Sequence, residues 1–165
     1  GVVRSVLNGP AVRDAWLEAV RLKHHYRFPS ANTSWGAANY GLGIFKRLVP
    51  DSFWFNLLFG FKGDINQSIA YLQAARQTKD DQVEVYTELA AAYFCKYQRE
   101  GDVGAQNRAR QALKTCLGIS PPDKISEISQ AHCRMLRATP EMACGYSRDR
   151  QQETSIARFK EELNK

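Results

Sequence analysis

The side chains best suited to acid–base or metal chemistry in this chain are its three histidines. His24 and His25 are adjacent, and His132 directly precedes Cys133. Adjacent side chains on an α-helix point about 100° apart, so neither pair forms a shared ligand set or a nucleophile with its base. No third group that would orient a base is evident. We therefore expect structural or exposed histidines and no catalytic residues.

Four cysteines are the other reactive side chains: Cys95, Cys116, Cys133 and Cys144. No C-x-x-C or paired Cys/His spacing occurs, so we expect no metal site and no cofactor. One or more disulfides and four buried thiols are equally compatible with this pattern. If one disulfide forms, we predict Cys133–Cys144, because Cys133 falls late on a helix and Cys144 in the loop after it. The repeat pattern described below places Cys95 and Cys116 too far apart to be bonded.

Two further motifs resemble ligand-binding signatures. Gly41-x-Gly43 lacks the third glycine of a phosphate-binding loop and lies within an apolar helical pattern, so we interpret it as a site of close helix approach. Four aromatic residues, Phe53, Trp54, Phe55 and Phe59, could line an apolar ligand pocket, although core packing is the simpler interpretation.

Composition indicates one globular domain. The chain has 165 residues, of which 44% are hydrophobic and 24% charged, and this is enough for a continuous core. A net charge of +6 raises the question of nucleic acid or an acidic membrane surface as a partner. The basic residues are spread between acidic and neutral stretches, which is typical of solvated helix faces and argues against nucleic acid. No apolar run is long enough to span a bilayer.

The start of the chain bears on its cellular location. The sequence begins at Gly1 without an initiator methionine and has an even number of cysteines. Both features fit an exported protein whose signal peptide has been removed. The missing methionine fits an artificial boundary equally well. Location therefore stays open, with an exported or periplasmic protein slightly favoured over a cytoplasmic one.

Residues 83–121 follow a helix-turn-helix repeat pattern, which defines most of the predicted fold. The tetratricopeptide pattern requires aromatic, leucine and small residues on one helix, then small and apolar residues and a closing proline on the next. The first helix carries Tyr86, Leu89, Ala90 and Tyr93. The second helix carries Ala109, Leu113 and Cys116, followed by Pro121. The segment between them is about seven residues longer than the pattern requires.

A less regular repeat covers about residues 31–79. Trp35-Gly36 replaces its Leu-Gly pair, and Tyr40 stands one residue beyond the expected aromatic position. A short apolar helix, Phe53–Phe59, is inserted between the two helices of this repeat. The second helix has the four-then-three spacing of the pattern at Ser68, Leu72 and Ala75.

The rest of the chain predicts helices at both ends. They cover about residues 11–26, 123–138 and 147–163. No segment alternates with a period of two residues, so we predict no strands. The predicted fold is a single all-α domain over residues 1–165. It is a right-handed, TPR-like solenoid of helical hairpins, with full repeats at about 31–79 and 83–121 and degenerate helices at both ends.

These patterns resemble those of tetratricopeptide-repeat proteins. The inserted aromatic helix ending at Gly60 and the Pro121-Pro122 turn are further similar to the regulator-of-microtubule-dynamics type and its bacterial relatives, over roughly residues 32–136. The repeat-containing T-component of some periplasmic TRAP transporters is similar in the same general way. The resemblance implies binding of a protein or ligand in a groove, without catalytic residues.

Repeat stacks bind partners along the concave surface lined by their first helices. The predicted partner-binding residues on that surface are Tyr40, Glu84, Thr87, Glu88, Ala91 and Phe94. A groove of acidic and aromatic residues suits a peptide with basic and apolar anchors, and an ordinary wet surface fits equally well. We predict a non-catalytic protein- or peptide-binding scaffold of unassigned oligomeric state. The alternative is a ligand-binding accessory protein of a periplasmic transport system.

Overall fold

The computed structural model describes residues 2–22, 31–78, 82–122 and 124–146. This part of the chain contains helices and no strand, so the all-α prediction is confirmed. The α-helices are α1 (Val2–Arg21), α2 (Ala31–Leu48), α3 (Phe53–Phe59), α4 (Ile65–Arg76), α5 (Gln82–Glu100), α6 (Val103–Gly118) and α7 (Lys124–Ala138). A 3-10 helix, Pro140–Gly145, follows α7. The predicted helix at 147–163 and the His24-His25 pair lie outside the described residues.

Local signals set the ends of several helices. The Asp64 carboxylate accepts hydrogen bonds of 2.9 Å from two backbone N–H groups in the first turn of α4. Asp102 accepts one from the first turn of α6. Such side-chain acceptors satisfy N–H groups that have no partner within the helix. Gly60 ends α3 with φ of 70°, a conformation that favours glycine.

Helix α1 is longer than the sequence predicts, and helix α5 accounts for extra residues of the second repeat. Helix α1 begins at Val2 rather than near Ala11, and Pro10 lies inside it. The apolar residues before the proline already have helical spacing, and this pattern continues across it. Helix α5 extends to Glu100, so only two residues join it to α6. The extra residues of the second repeat therefore lengthen a helix instead of forming a loop.

Helix α5 occupies the centre of the described fold. It pairs with α6 and also contacts α4, α7 and the 3-10 helix, while α2 pairs with α4 and α1 packs on α2. The α2/α4 and α5/α6 pairs agree with the two helix pairs predicted from the sequence. Because α5 has neighbours on several sides, twelve of its residues are buried.

Gly43 allows α2 and α4 to approach closely. A Cβ atom at this position would lie 2.5 Å from Leu72 Cγ, which is shorter than real Cβ contacts. The Ser68 hydroxyl donates a 2.7 Å hydrogen bond to the Gly43 carbonyl oxygen across the same contact. The interpretation of this glycine as a site of helix approach is therefore confirmed.

Two disulfides cross-link the described fold, and the predicted Cys133–Cys144 pair is wrong. The bonded pairs are Cys95–Cys144 and Cys116–Cys133. Cys95 and Cys116 are not bonded to each other, as expected. Helix α7 packs on α6 and brings Cys133 to Cys116, while the 3-10 helix packs on α5 and brings Cys144 to Cys95. The sequence pattern of the repeats does not contain either of these contacts.

Candidate functional site

The predicted concave-face site is not an exposed surface in this structure. Five of its six residues are at most 7% exposed: Glu84, Thr87, Glu88, Ala91 and Phe94. Tyr40 is half-buried against the core. Helix α7 and the 3-10 helix cover this part of α5, and the Thr87 hydroxyl lies 3.0 Å from Cys133 Sγ on α7. The prediction of an open groove there is therefore corrected.

Glu88 is part of a buried ion pair. Its carboxylate lies 2.6 Å from Arg47 Nη2, and the two side chains are 2% and 0% exposed. Arg47 Nη1 also donates to the carbonyl oxygens of Ala143 and Tyr146, at 3.1 and 2.8 Å. Arg47 on α2 thus joins α5 to the 3-10 helix. The Glu88 carboxylate, which the sequence analysis assigned to partner binding, is therefore bound by Arg47 inside the fold.

His132 lies beside this ion pair and has a structural partner. Its Nδ1 atom shares a 2.9 Å hydrogen bond with the Tyr146 hydroxyl, and the Arg47 guanidinium carbon lies 5.6 Å from the centre of the Tyr146 ring. Burial lowers the pKa of His132 below its ordinary value of 6.5. The neighbouring Cys133 is bonded to Cys116, so the two residues do not form a thiolate–imidazole pair.

A different groove is open on the described surface, between α6, the end of α7 and the 3-10 helix. Its volume is about 670 Å³. Four apolar residues form its floor: Phe94, Leu113, Leu117 and Pro140. Four polar or charged residues form its rim: Gln106, Arg110, Lys114 and Arg137. We call this site the basic groove.

One face of α6 supplies most of the basic groove. Its contributing residues, Gln106, Arg110, Leu113, Lys114 and Leu117, recur at intervals of three or four along the helix. This spacing places them on one side of α6. Of the predicted partner-binding residues, Phe94 alone lines the groove in the described part of the chain.

The charges on the rim have one sign. Arg110, Lys114 and Arg137 are exposed, and no described acidic residue lines the groove. None of the three forms an ion pair with an acidic residue among those described. Several like charges over an apolar floor attract anionic groups and repel cationic ones. The groove is therefore suited to a ligand that carries both acidic and apolar groups.

Both disulfides connect walls of the basic groove. Cys95–Cys144 joins α5, which carries Phe94, to the 3-10 helix, which carries Pro140. Cys116–Cys133 joins α6 to α7, which carries Arg137. The Gln98 side chain also donates a 2.6 Å hydrogen bond to the Pro140 carbonyl oxygen. The walls of the basic groove are consequently cross-linked to one another.

Other kinds of site are not evident in the described residues. They contain no cluster of three or more His, Cys, Asp or Glu side chains able to hold a metal ion. None of the described helices combines the length and apolar character needed to cross a bilayer. Comparison with known proteins does not identify a relative: no family model, curated protein or solved structure matches the chain.

Proposed function

We propose that this chain is a non-catalytic binding module that holds an acidic, partly apolar peptide segment of a protein partner in the basic groove. The observation that supports this proposal is the combination of an apolar floor with a rim whose charges are all basic. The partner's charge is opposite to that predicted from the sequence, because the glutamates assigned to the binding face are buried. Within this proposal, α2/α4 and α5/α6 are the two repeats of a right-handed, TPR-like stack.

The length of the basic groove favours a peptide over a compact molecule. Gln106 and Leu117 are eleven residues apart on α6, which corresponds to roughly 16 Å along the helix axis. An extended chain covers this distance with about five residues. Apolar side chains of such a segment would contact Leu113 and Leu117, while its carboxylates would face Arg110 and Lys114.

The rigidity of the groove supports a binding role. Ordering of loops and side chains opposes association, and a site that is already ordered avoids much of this free-energy cost. Here the two disulfides hold α7 and the 3-10 helix in place as walls. An arginine-containing rim is also typical of protein interfaces, where guanidinium groups bind carboxylates in a bidentate manner.

The alternative function, in which a ligand lies between the aromatic helix and the repeats, has less support. None of the residues of α3 is buried. The cavity beside α3 is lined by Asn56 of this helix and by none of its aromatic side chains. Its aromatic lining comes instead from Phe61 and Tyr71, which lie outside α3.

Selection from a random peptide display library tests the proposal without requiring that the partner be identified first. We expect the wild-type chain to enrich peptides that combine Asp or Glu with Leu, Ile or Phe. The double variant Arg110→Glu/Lys114→Glu should not enrich them. Arg76→Glu/Arg99→Glu is the matched control, because it makes the same change in net charge at exposed residues outside the groove. Enrichment by the groove variant, or none by the wild type, would contradict the proposal.

A further inference from the structure

Helix α3 presents an apolar face to solvent. Phe53, Trp54, Leu57 and Leu58 are 71%, 69%, 64% and 73% exposed. Their spacing of one and four residues places all four on one side of the helix. Together they expose an area on the order of several hundred Å², which is as large as the largest apolar patch of a typical monomer.

The other side of α3 is anchored to the fold. The rings of Phe55 and Phe59 lie 5.5 and 6.3 Å from that of Phe61, which is buried and lies 5.3 Å from Phe45. Phe61, which follows α3 in the chain, thus connects the inner side of α3 to Phe45 on α2, and the apolar face is directed to solvent.

The ends of the α3 segment are also fixed. The Gly63 amide donates to the Pro50 carbonyl oxygen at 3.0 Å, and the Asp64 amide donates to that of Lys46 at 2.9 Å. A Cβ atom at Gly63 would lie 2.0 Å from the Val49 carbonyl oxygen. The chain before α3, at residues 46–50, is thus bonded to the chain after it, at residues 63–64. These contacts fix the position of α3 on the surface.

A cationic cavity lies beside this protrusion. Its volume is about 280 Å³, and its lining includes Arg13, Lys46 and Lys62 together with Asn56 of α3. No acidic side chain of the described residues lines it. Burial lowers the pKa of Lys46, so a nearby anion would favour its charged form.

Two of the three cations that line the cavity are paired with acidic residues that lie outside its lining. Asp14 pairs with Arg13 at 2.6 Å, and Asp51 pairs with Lys62 at 3.3 Å on the exposed surface. Asp64 accepts two backbone N–H groups as the cap of α4. The Asp51–Lys62 pair is exposed and contributes little, so a lipid phosphate can compete with the Asp51 carboxylate for Lys62.

We propose that α3 and this cavity form a docking surface for an anionic lipid bilayer, with the apolar face entering the interfacial region and the cavity binding a lipid phosphate. Tryptophan and other large apolar side chains are favoured at the membrane interface, and adjacent cations bind the negative surface. A second copy of the chain fits this surface less well. A symmetric contact through α3 would bring together two cationic cavities on chains that each carry +6.

Co-sedimentation of the full chain with vesicles tests this inference. One vesicle preparation is phosphatidylcholine alone, and the other contains equal parts of phosphatidylcholine and phosphatidylglycerol. We expect binding to the anionic vesicles and little to the neutral ones. Trp54→Glu/Leu58→Glu changes only exposed side chains, and it should weaken binding about tenfold or more, since both groups would leave the apolar region.

A second pair of variants separates the lipid phosphate site from general electrostatics. Lys46→Gln/Lys62→Gln should weaken binding to the anionic vesicles about tenfold or more. Arg99→Gln/Lys124→Gln removes the same charge from exposed residues outside the cavity and should have a much smaller effect. Wild-type protein that stays in the supernatant with anionic vesicles would overturn the inference. So would equal losses in the two charge variants, or an α3-dependent dimer in sedimentation velocity without vesicle binding.

Discussion

The Arg47 guanidinium and the Glu88 carboxylate form an ion pair of 2.6 Å in the interior of the fold, 41 residues apart in the chain. Arg47 also binds two carbonyl oxygens at and after the 3-10 helix. A buried charge is tolerated only when it is paired and hydrogen-bonded, and both terminal nitrogens of Arg47 meet that condition, although its buried Nε atom has no hydrogen-bond partner among the described residues. The pair therefore joins three parts of the chain and removes Glu88 from any binding surface.

Loss of Glu88 should destabilise the fold strongly. In Glu88→Ala the Arg47 charge stays buried without its carboxylate, which we expect to lower the free energy of unfolding by about 3 to 5 kcal/mol. Glu100→Ala is the control on the same helix, since its pair with Lys96 is partly exposed and should contribute less than about 1 kcal/mol. Urea unfolding followed by circular dichroism, with the disulfides intact, measures both. Similar losses in the two variants would contradict the assigned role of Glu88.

His132 should make stability depend on pH. Its pKa is lowered by burial in the folded chain, so the unfolded chain binds a proton more tightly. The free energy of unfolding should therefore fall as pH falls from about 6.5 through the folded pKa, and this contribution should level off below it. His132→Gln removes the titrating group. Urea midpoints measured across this window should show a steeper pH dependence in the wild type, and identical slopes would rule out this contribution.

The disulfide pairing can be determined directly by peptide mapping. Proteolysis without reductant, followed by mass spectrometry, should yield cross-linked peptides for Cys95–Cys144 and Cys116–Cys133. Replacing Cys116 and Cys133 by alanine should cost about 3 kcal/mol through the added freedom of the unfolded chain. A cross-linked Cys133–Cys144 peptide would contradict both pairs and support the pairing predicted from the sequence. Disulfides of this kind form and persist in oxidising compartments.

The close contact between α2 and α4 predicts that an added methyl group at Gly43 lowers stability more than one at Gly118, which lies outside this contact. Gly43→Ala places a methyl group against Leu72 and should destabilise the fold by about 1 to 3 kcal/mol. Gly118→Ala at the end of α6 meets no atom within 4 Å, and we expect a change of less than about 1 kcal/mol. Thermal unfolding of the two variants makes the comparison. A Gly43→Ala protein as stable as the Gly118→Ala protein would contradict close packing at Gly43.

Features with a local cause were predictable from the sequence. The bounds of Phe53–Phe59 agree with the prediction, because glycine at position 60 stops the helix. Asp64 caps α4 for a local reason too, because a carboxylate before the first turn satisfies backbone N–H groups. Ser52 precedes α3 without a side-chain capping hydrogen bond.

Features that depend on distant contacts were not predictable. The repeat pattern describes how α5 packs on α6, but it contains no information about α7 and the 3-10 helix covering α5. That covering buries Glu84 and Glu88 and determines both disulfides. The sequence does indicate the part of the basic groove on α6, because Arg110 and Lys114 lie on the same side of the helix as Leu113 and Leu117. Arg110 and Lys114 are exposed, which agrees with their interpretation as part of a solvated helix face. Arg137 and Pro140 join the groove only through the tertiary fold.

The most direct test of the proposed function is a reciprocal change of charge, measured by fluorescence anisotropy. Two labelled synthetic peptides share the same Leu and Phe anchors and carry either Glu or Lys at the remaining positions. We expect the wild type to bind the Glu peptide about tenfold or more tightly than the Lys peptide, and Arg110→Glu/Lys114→Glu to reverse this preference. A wild type that does not distinguish the peptides, or a variant that keeps the wild-type preference, would contradict binding in the basic groove.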